Sequence, residues 1–238
     1  MDSGVNCLKL VEMFKSIEGE GLRSGYVCTF IRTFGCPCRC VYCDSMYANE
    51  TGHGVDIRDM TVDEIVQYCK DNKTPYVTLT GGEPLVQPDM AELIKKLLQN
   101  GFKVNVETSG AVDISKFKQL VYDTDAEFNN LIFTVDYKSL SSGCNDMMIE
   151  NNFMDNIDFW DVVKFVVGNK EDLDDMKLLL TNMREFHGAD MPHVFVSPIF
   201  GMIEPKEIVE YLKDNDLFDV RMQLQIHKFI WDFNQRGV

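Results

Sequence analysis

The chain has 238 residues, 45% hydrophobic and 26% charged, with a formal net charge of −15. That length buries one good core, so a single domain over 1–238 is expected. The acidic balance argues against a nucleic-acid surface, no apolar run approaches a membrane span, and no secretory signal opens at Met1-Asp2-Ser3-Gly4.

In chain order, apolar β-branched runs predict strands over 8–14, 26–33, 76–80, 103–107, 131–136, 161–167, 193–197 and 220–226. Thr61 with Glu64 forms a capping box, and Val62, Ile65, Val66 and Cys69 follow at helical spacing, which makes Cys69 a core residue. Pro88 suits a first helical turn. Met90, Leu93, Ile94, Leu97 and Leu98 make one apolar stripe, which Gly101 ends. Further helices are expected over 170–186 and 204–214. The acidic runs Glu171 to Asp175 and Asp214 to Asp216 read as solvated faces. This repeating β-α order predicts an α/β fold with a mostly parallel sheet and right-handed crossovers. There are fewer than eight complete units, so an open, partial (β/α) barrel fits better than a closed one. Its chemistry belongs at the C-terminal ends of the strands.

Four of the eight cysteines crowd into Cys36-Pro37-Cys38-Arg39-Cys40-Val41-Tyr42-Cys43, directly after the second strand. Such crowding suits a reducing, cytoplasmic compartment and not a disulfide scaffold. Cys36, Cys40 and Cys43 form a C-x3-C-x2-C frame. Three thiolates in one loop can hold three irons of a [4Fe–4S] cluster and leave the fourth open. A structural zinc site is the competing reading, but it needs a fourth ligand, either Cys38 or a distant residue. The next strand runs into Thr80-Gly81-Gly82-Glu83-Pro84, where two glycines permit close backbone approach to a ligand.

The cysteine frame followed by Gly81-Gly82-Glu83-Pro84 resembles the radical S-adenosylmethionine (SAM) superfamily. Four further segments resemble the 7-carboxy-7-deazaguanine synthases within it. They are Ser16 to Gly21 leading into Phe30 to Cys36, Cys43-Asp44-Ser45, Glu107-Thr108-Ser109-Gly110, and Leu224 to Lys228. The resemblance runs in family order from about residue 10 to about residue 230.

It implies a reaction in queuosine and deazapurine biosynthesis. A reduced cluster cleaves SAM to a 5′-deoxyadenosyl radical, which takes hydrogen from C6 of 6-carboxy-5,6,7,8-tetrahydropterin. The ring contracts, ammonia leaves and 7-carboxy-7-deazaguanine forms. The resemblance further implies Mg²⁺, a homodimer, and an electron donor such as flavodoxin or ferredoxin, with Arg39 as a docking candidate. It places the cluster on Cys36, Cys40 and Cys43, and SAM against Tyr42, Asp44, Gly81, Gly82, Glu83, Ser109, Lys138 and Ser197. It places the pterin against Ile17, Glu18, Gly19, Glu20, Arg32, Thr80 and His227, and Mg²⁺ on Ser45. The chemistry agrees at Arg32, since a guanidinium holds a carboxylate bidentately, although a structural ion pair is the plainer use of such a residue. Ser45 keeps the hard oxygen that Mg²⁺ requires. His227 with Lys228 is expected to end the last strand. A glycyl-radical-enzyme activase shares the cysteine frame and the double glycine, and it is the alternative function. A zinc-binding interaction module is the non-enzyme alternative.

Overall fold

The computed structural model describes residues 7–124, 127–232 and 235–238. One nine-stranded sheet runs in the order β3-β1-β2-β4-β5-β6-β7-β8-β9. β1 (Cys7–Ile17) pairs antiparallel with β2 (Val27–Thr33) and with β3 (Arg58–Thr61). From β2 onward every pairing is parallel, through β4 (Tyr76–Gly81), β5 (Lys103–Thr108), β6 (Leu131–Tyr137), β7 (Val162–Val167), β8 (His193–Pro198) and β9 (Val220–Met222). β9 does not pair back to β3, so the wall stays open, as the incomplete β-α count predicts.

The crossovers carry α1 (Val62–Asn72), α2 (Met90–Gln99), the short α3 (Ser115–Lys118), α4 (Lys170–His187) and α5 (Pro205–Asp214). The α1 capping box forms: Thr61 N donates to Glu64 Oε2 at 2.8 Å, and Glu64 N donates to Thr61 Oγ1 at 3.2 Å. Cys69 is fully buried in the core beneath α1, as its helical spacing predicts.

Alternation along the strands divides the sheet cleanly. Ile31, Leu79, Val106 and Phe133 share one register layer, and Val135, Val163 and Val194 the next; all lie in the apolar core with the helices. The opposite face carries Arg32 beside Thr80, Glu107 beside Thr134, and Asp136 beside Lys164. That face is the lumen of the partial barrel. Its floor is filled by Leu22 and Arg23 against Asn105, Ile132, Thr134 and Val162. Arg23 is fixed there by donating to the Lys103 carbonyl at 2.9 Å.

Three expectations need correction. β3 was not foreseen, because Arg58-Asp59-Met60-Thr61 is a short polar edge strand without apolar alternation. α2 begins at Met90, so Pro88 precedes the helix and does not sit in its first turn. The last strand stops at Met222, well short of 226. Gln223 N still donates to the Val196 carbonyl of β8 at 3.0 Å, and the donors after it turn to the loop after β1: Gln225 Nε2 donates to Glu20 Oε2 at 3.1 Å, and Ile226 N donates to the Gly19 carbonyl at 3.1 Å. His227 therefore opens a short helix, α6 (His227–Ile230), and does not end a strand.

Candidate active site

The cysteine loop leaves β2 at Thr33 and lies over the C-terminal end of the lumen. It is tied to the β4 exit by backbone bonds: Gly82 N to the Thr33 carbonyl at 3.1 Å, and Glu83 N to the Gly35 carbonyl at 2.8 Å. These explain the double glycine. A Cβ on Gly81 would lie 2.4 Å from the Thr33 oxygen, and Gly81 has φ +144°. A Cβ on Gly82 would lie 2.3 Å from the Gly35 oxygen. The glycines thus admit the cysteine loop's backbone, in addition to any ligand.

Glu83 is fully buried. Its carboxylate accepts from Ser109 N at 2.7 Å, Ser109 Oγ at 2.6 Å, Thr108 Oγ1 at 2.9 Å and Leu85 N at 3.0 Å. Burial pushes its pKa up, and the Ser109 donors work against that rise. Glu83 and Ser109 are therefore turned toward each other and brace the β4 exit against the β5 exit.

The cysteines of the loop gather together. Cys38, Cys40 and Cys144 form a buried cluster with Cys36 and Cys43 packed against it, and no cysteine is in a disulfide. Cys144 was invisible in the sequence, being a lone thiol a hundred residues beyond the motif. It arrives because the segment after β6 docks on the loop: Arg39 N donates to Cys144 Sγ at 3.3 Å, and Val41 N to the Ser142 carbonyl at 3.0 Å. Arg39 itself folds back, its Nη1 donating to the Cys36 carbonyl at 2.5 Å and the Cys38 carbonyl at 2.9 Å. It braces the loop while the residue remains exposed.

The donor set fits a cluster in its chemistry, because the loop gathers free thiols and thiolates are what iron–sulfur clusters bind. For SAM, two buried polar atoms beside the loop lack hydrogen-bond partners: Asn49 Oδ1 and Tyr42 Oη. Asn49 Oδ1 sits near Gly82, while its Nδ2 donates to Cys43 Sγ at 3.4 Å. An ammonium and a ribose hydroxyl are partners of the right kind for these two atoms. Ser45 Oγ lies 3.8 Å from Cys43 Sγ, and Asp44 Oδ2 lies 3.6 Å from Lys228 Nζ.

Below the loop the lumen is crowded with charge. Lys164 Nζ lies 3.2 Å from Asp136 Oδ1 and 3.3 Å from Glu20 Oε2, and Lys138 Nζ lies 2.8 Å from Asp136 Oδ2. Burial pushes Asp136 up, but the two ammoniums beside it outweigh burial and hold it below the usual carboxylate range. Burial works against the charge of Lys164, yet Asp136, Glu20 and Glu107 together raise its pKa well above normal. Glu20 also accepts from Ser197 Oγ at 3.3 Å, and Glu107 from Thr80 Oγ1 at 2.8 Å. Glu107 is pushed up, chiefly by burial. Glu18 is buried and accepts from Thr78 Oγ1 at 2.6 Å. Burial first, then Glu107, pushes its carboxyl up to about 8. The His227 ring packs so tightly on Gly19 that a Cβ there would lie 2.0 Å from Nδ1. Burial lowers the His227 pKa, and Glu20 works against that fall.

Most of the residues singled out in the sequence therefore meet at one opening. Ile17 pairs with Val27, and strand alternation turns its side chain away from the face that Ser16 shares with Cys28. Arg32 is in the lumen but already engaged: its Nε donates to Glu12 Oε1 at 2.7 Å, which realises the ion-pair use as well. Sequence reasoning missed Glu12, Tyr47, Asn49, Lys164 and Gln225. Lys164 had a signal, as a lone charge inside the apolar run Val162 to Val167.

Comparison with known proteins gives the chain's family. The Radical SAM superfamily model matches residues 30–131. The 7-carboxy-7-deazaguanine synthase of Clostridium acetobutylicum is 42% identical over 97% of this chain and 99% of its own length. That of Methanospirillum hungatei is 36% identical over 94% of this chain and 85% of its own. The crystal structure of QueE from Escherichia coli superposes with a TM-score of 0.69 at 21% identity, covering 91% of this chain and 94% of that one, and shares the fold. Near-complete coverage at 42% identity shows that the chain belongs to the 7-carboxy-7-deazaguanine synthase family of the radical SAM superfamily.

Proposed function

We propose that this chain converts 6-carboxy-5,6,7,8-tetrahydropterin to 7-carboxy-7-deazaguanine with ring contraction and loss of ammonia. The observation that carries the reading is the polar lumen directly beneath the cysteine loop. It offers hydrogen-bond donors and acceptors for a pterin and a guanidinium for its carboxylate. The glycyl-radical activase reading finds no support in the relatives.

Cys36, Cys40 and Cys43 would hold the cluster, and the backbone at Gly81 and Gly82, with Tyr42, Asp44, Asn49 and Lys138, would hold SAM. Bound together, cluster and SAM supply the radical that abstracts hydrogen from the substrate. Glu83 and Ser109 serve by fixing the two strand exits. Arg32 keeps its Nη edge for the substrate carboxylate while Glu12 fixes its Nε edge. Glu18, Gly19, Glu20 and His227 meet the pterin ring, with the Glu18 carboxyl protonated at neutral pH and able to donate. Thr80 and Ser197 act by steadying Glu107 and Glu20. Ser45 offers its hydroxyl to Mg²⁺.

We read the chain as a single domain working in the cytoplasm. Among the described residues no helix is long and apolar enough to cross a membrane. A flavodoxin or ferredoxin would supply the electron. Phe229 and Ile230 are exposed on α6 and suit a homodimer interface; Phe233 of the same tail lies outside the described residues.

The test is anaerobic reconstitution, reduction, and incubation with SAM, Mg²⁺ and the carboxypterin, with mass analysis of product. Product mass should match 7-carboxy-7-deazaguanine. Cys36→Ala, Cys40→Ala and Cys43→Ala should each lose iron and activity, while Cys38→Ala keeps both. Cleavage of SAM without consumption of the pterin in the wild type would sink the assignment.

A further inference from the structure

Arg32 does not present a net charge to the opening. Its pairing with Glu12 is close, at 2.7 Å, and both side chains are mostly shielded, at 18% and 20% exposure. A substrate carboxylate approaching that pair meets a neutral unit, and the Glu12 anion works against it. Asp44 at the same opening is balanced by Lys228. Beside the Mg²⁺ that the reading above gives to Ser45, a further side-chain cation would add to the attraction of an anion.

The structure holds one in place. The Arg236 guanidinium carbon lies 4.0 Å from the centroid of the Tyr47 ring, and that of Arg32 lies 5.9 Å from the same centroid. Tyr47 Oη donates to Glu12 Oε1 at 2.9 Å, the same oxygen that receives Arg32 Nε. One tyrosine is therefore the platform for both guanidiniums, its face toward cations and its hydroxyl on their shared anion. Burial pushes the Tyr47 phenol up to about 12, so the ring stays neutral. The tail reaches this point because the segment after β9 is laced to the opening. Gly21 N donates to Gln223 Oε1 at 2.8 Å, Gln225 and Ile226 bond to Glu20 and Gly19, and Lys228 meets Asp44.

We infer that Arg236 is a specificity-determining residue, which supplies, from its seat on Tyr47, positive charge that draws the substrate carboxylate to the Nη edge of Arg32. This rests on the carboxypterin reading above. Glu12 and Tyr47 are positioning residues in the same device. Arg236 is exposed and acts on an anion in solution, so its contribution falls with ionic strength.

The experiment uses reconstituted, reduced holoenzyme and two probes: the carboxypterin, and a tetrahydropterin without the carboxylate. Affinities come from binding at low and at high salt, and KM and kcat from turnover of the carboxypterin. In wild type the carboxypterin should bind much more tightly. Arg236→Ala should raise its KM and Kd roughly five- to tenfold at low salt, with less effect at high salt. Saturated kcat, iron content and affinity for the carboxylate-free probe should not change. Arg236→Lys should recover most of the loss, because charge and not the planar fork is what matters there. Tyr47→Leu should reproduce it, and Arg236→Ala added to Tyr47→Leu should cost little more. Arg236→Ala weakening both pterins equally, or neither, overturns the inference while the wild-type carboxylate preference leaves the carboxypterin reading standing. A wild type without that preference overturns both.

Discussion

Lys164 and Phe165 are neighbours on β7 and stand on opposite faces of one sheet. Phe165 is fully buried among side chains, its ring 5.3 Å from that of Tyr137. Lys164 is nearly as buried, but its neighbours are Asp136, Glu20 and Glu107. The helix-covered face is held by non-directional burial, which tolerates exchange of like for like. The luminal face is held by a balance of charges in which Lys164 faces Asp136, Glu20 and Glu107 while Asp136 also meets Lys138, and it tolerates no single loss. Folding energy comes mainly from the first face and chemistry from the second, from side chains one residue apart.

The sharpest way to break this comparison is to change both neighbours. Phe165→Ala should cost roughly 3–5 kcal/mol in urea unfolding and leave substrate affinity of the surviving folded protein intact. Lys164→Met should also cost about 3–5 kcal/mol, because it leaves buried carboxylates without their cation. Unlike Phe165→Ala, it should abolish pterin binding. If Lys164→Met bound the pterin normally, the lumen would be mere scaffold.

A smaller effect separates the faces by pH. The Glu18 carboxyl moves from 4.5 up to about 8 in the folded chain. Between those values the folded state keeps a proton that the unfolded state has released, so stability falls as pH rises through the window and levels off above about 8. At about 1.4 kcal/mol per pKa unit the contribution is at most about 5 kcal/mol. Glu18→Gln keeps the Thr78 hydrogen bond and cannot ionise, so its stability should lack this slope. Superimposable unfolding curves for the two proteins from pH 5 to 9 would remove Glu18 from the account.

The smallest effect lies at the junction of loop and sheet. Gly82→Ala drives a methyl against the Gly35 carbonyl and should cost roughly 1–3 kcal/mol. Iron retained per chain should fall with it, since the same backbone sets the cysteine loop. Full iron retention in Gly82→Ala would show that the loop is seated by other contacts.

These contrasts also mark how much could be read in advance. The cysteine frame, the double glycine and the α1 capping box were legible because each is a local arrangement of neighbours in sequence. The apolar face was legible through periodicity. The lumen was partly legible: Thr78 and Thr80, Asn105 and Glu107, and Thr134 and Asp136 are polar residues two apart in strands otherwise read as apolar. That spacing is what a polar interior leaves in sequence. The Glu12–Arg32 pairing, the Cys144 contact and the Tyr47–Arg236 stack were not legible. Each joins residues with no shared local pattern, and they meet only through strand register or loop docking. The end of β9 was misjudged for a related reason: Leu224-Gln225-Ile226 alternates like a strand, but its partners are the β1 loop and not β8.

An open wall has two ends, and a row of unpaired amides invites another chain to add itself there. Here β9 has three residues and β3 four, the latter carrying Arg58 and Asp59, with Lys9 reaching across to Asp59 at 3.0 Å. Each rim is too short or too charged to template a further strand. A barrel that must stay unsealed for its substrate thereby avoids polymerising through its own seam, and lengthening β9 with alternating apolar residues would remove that protection.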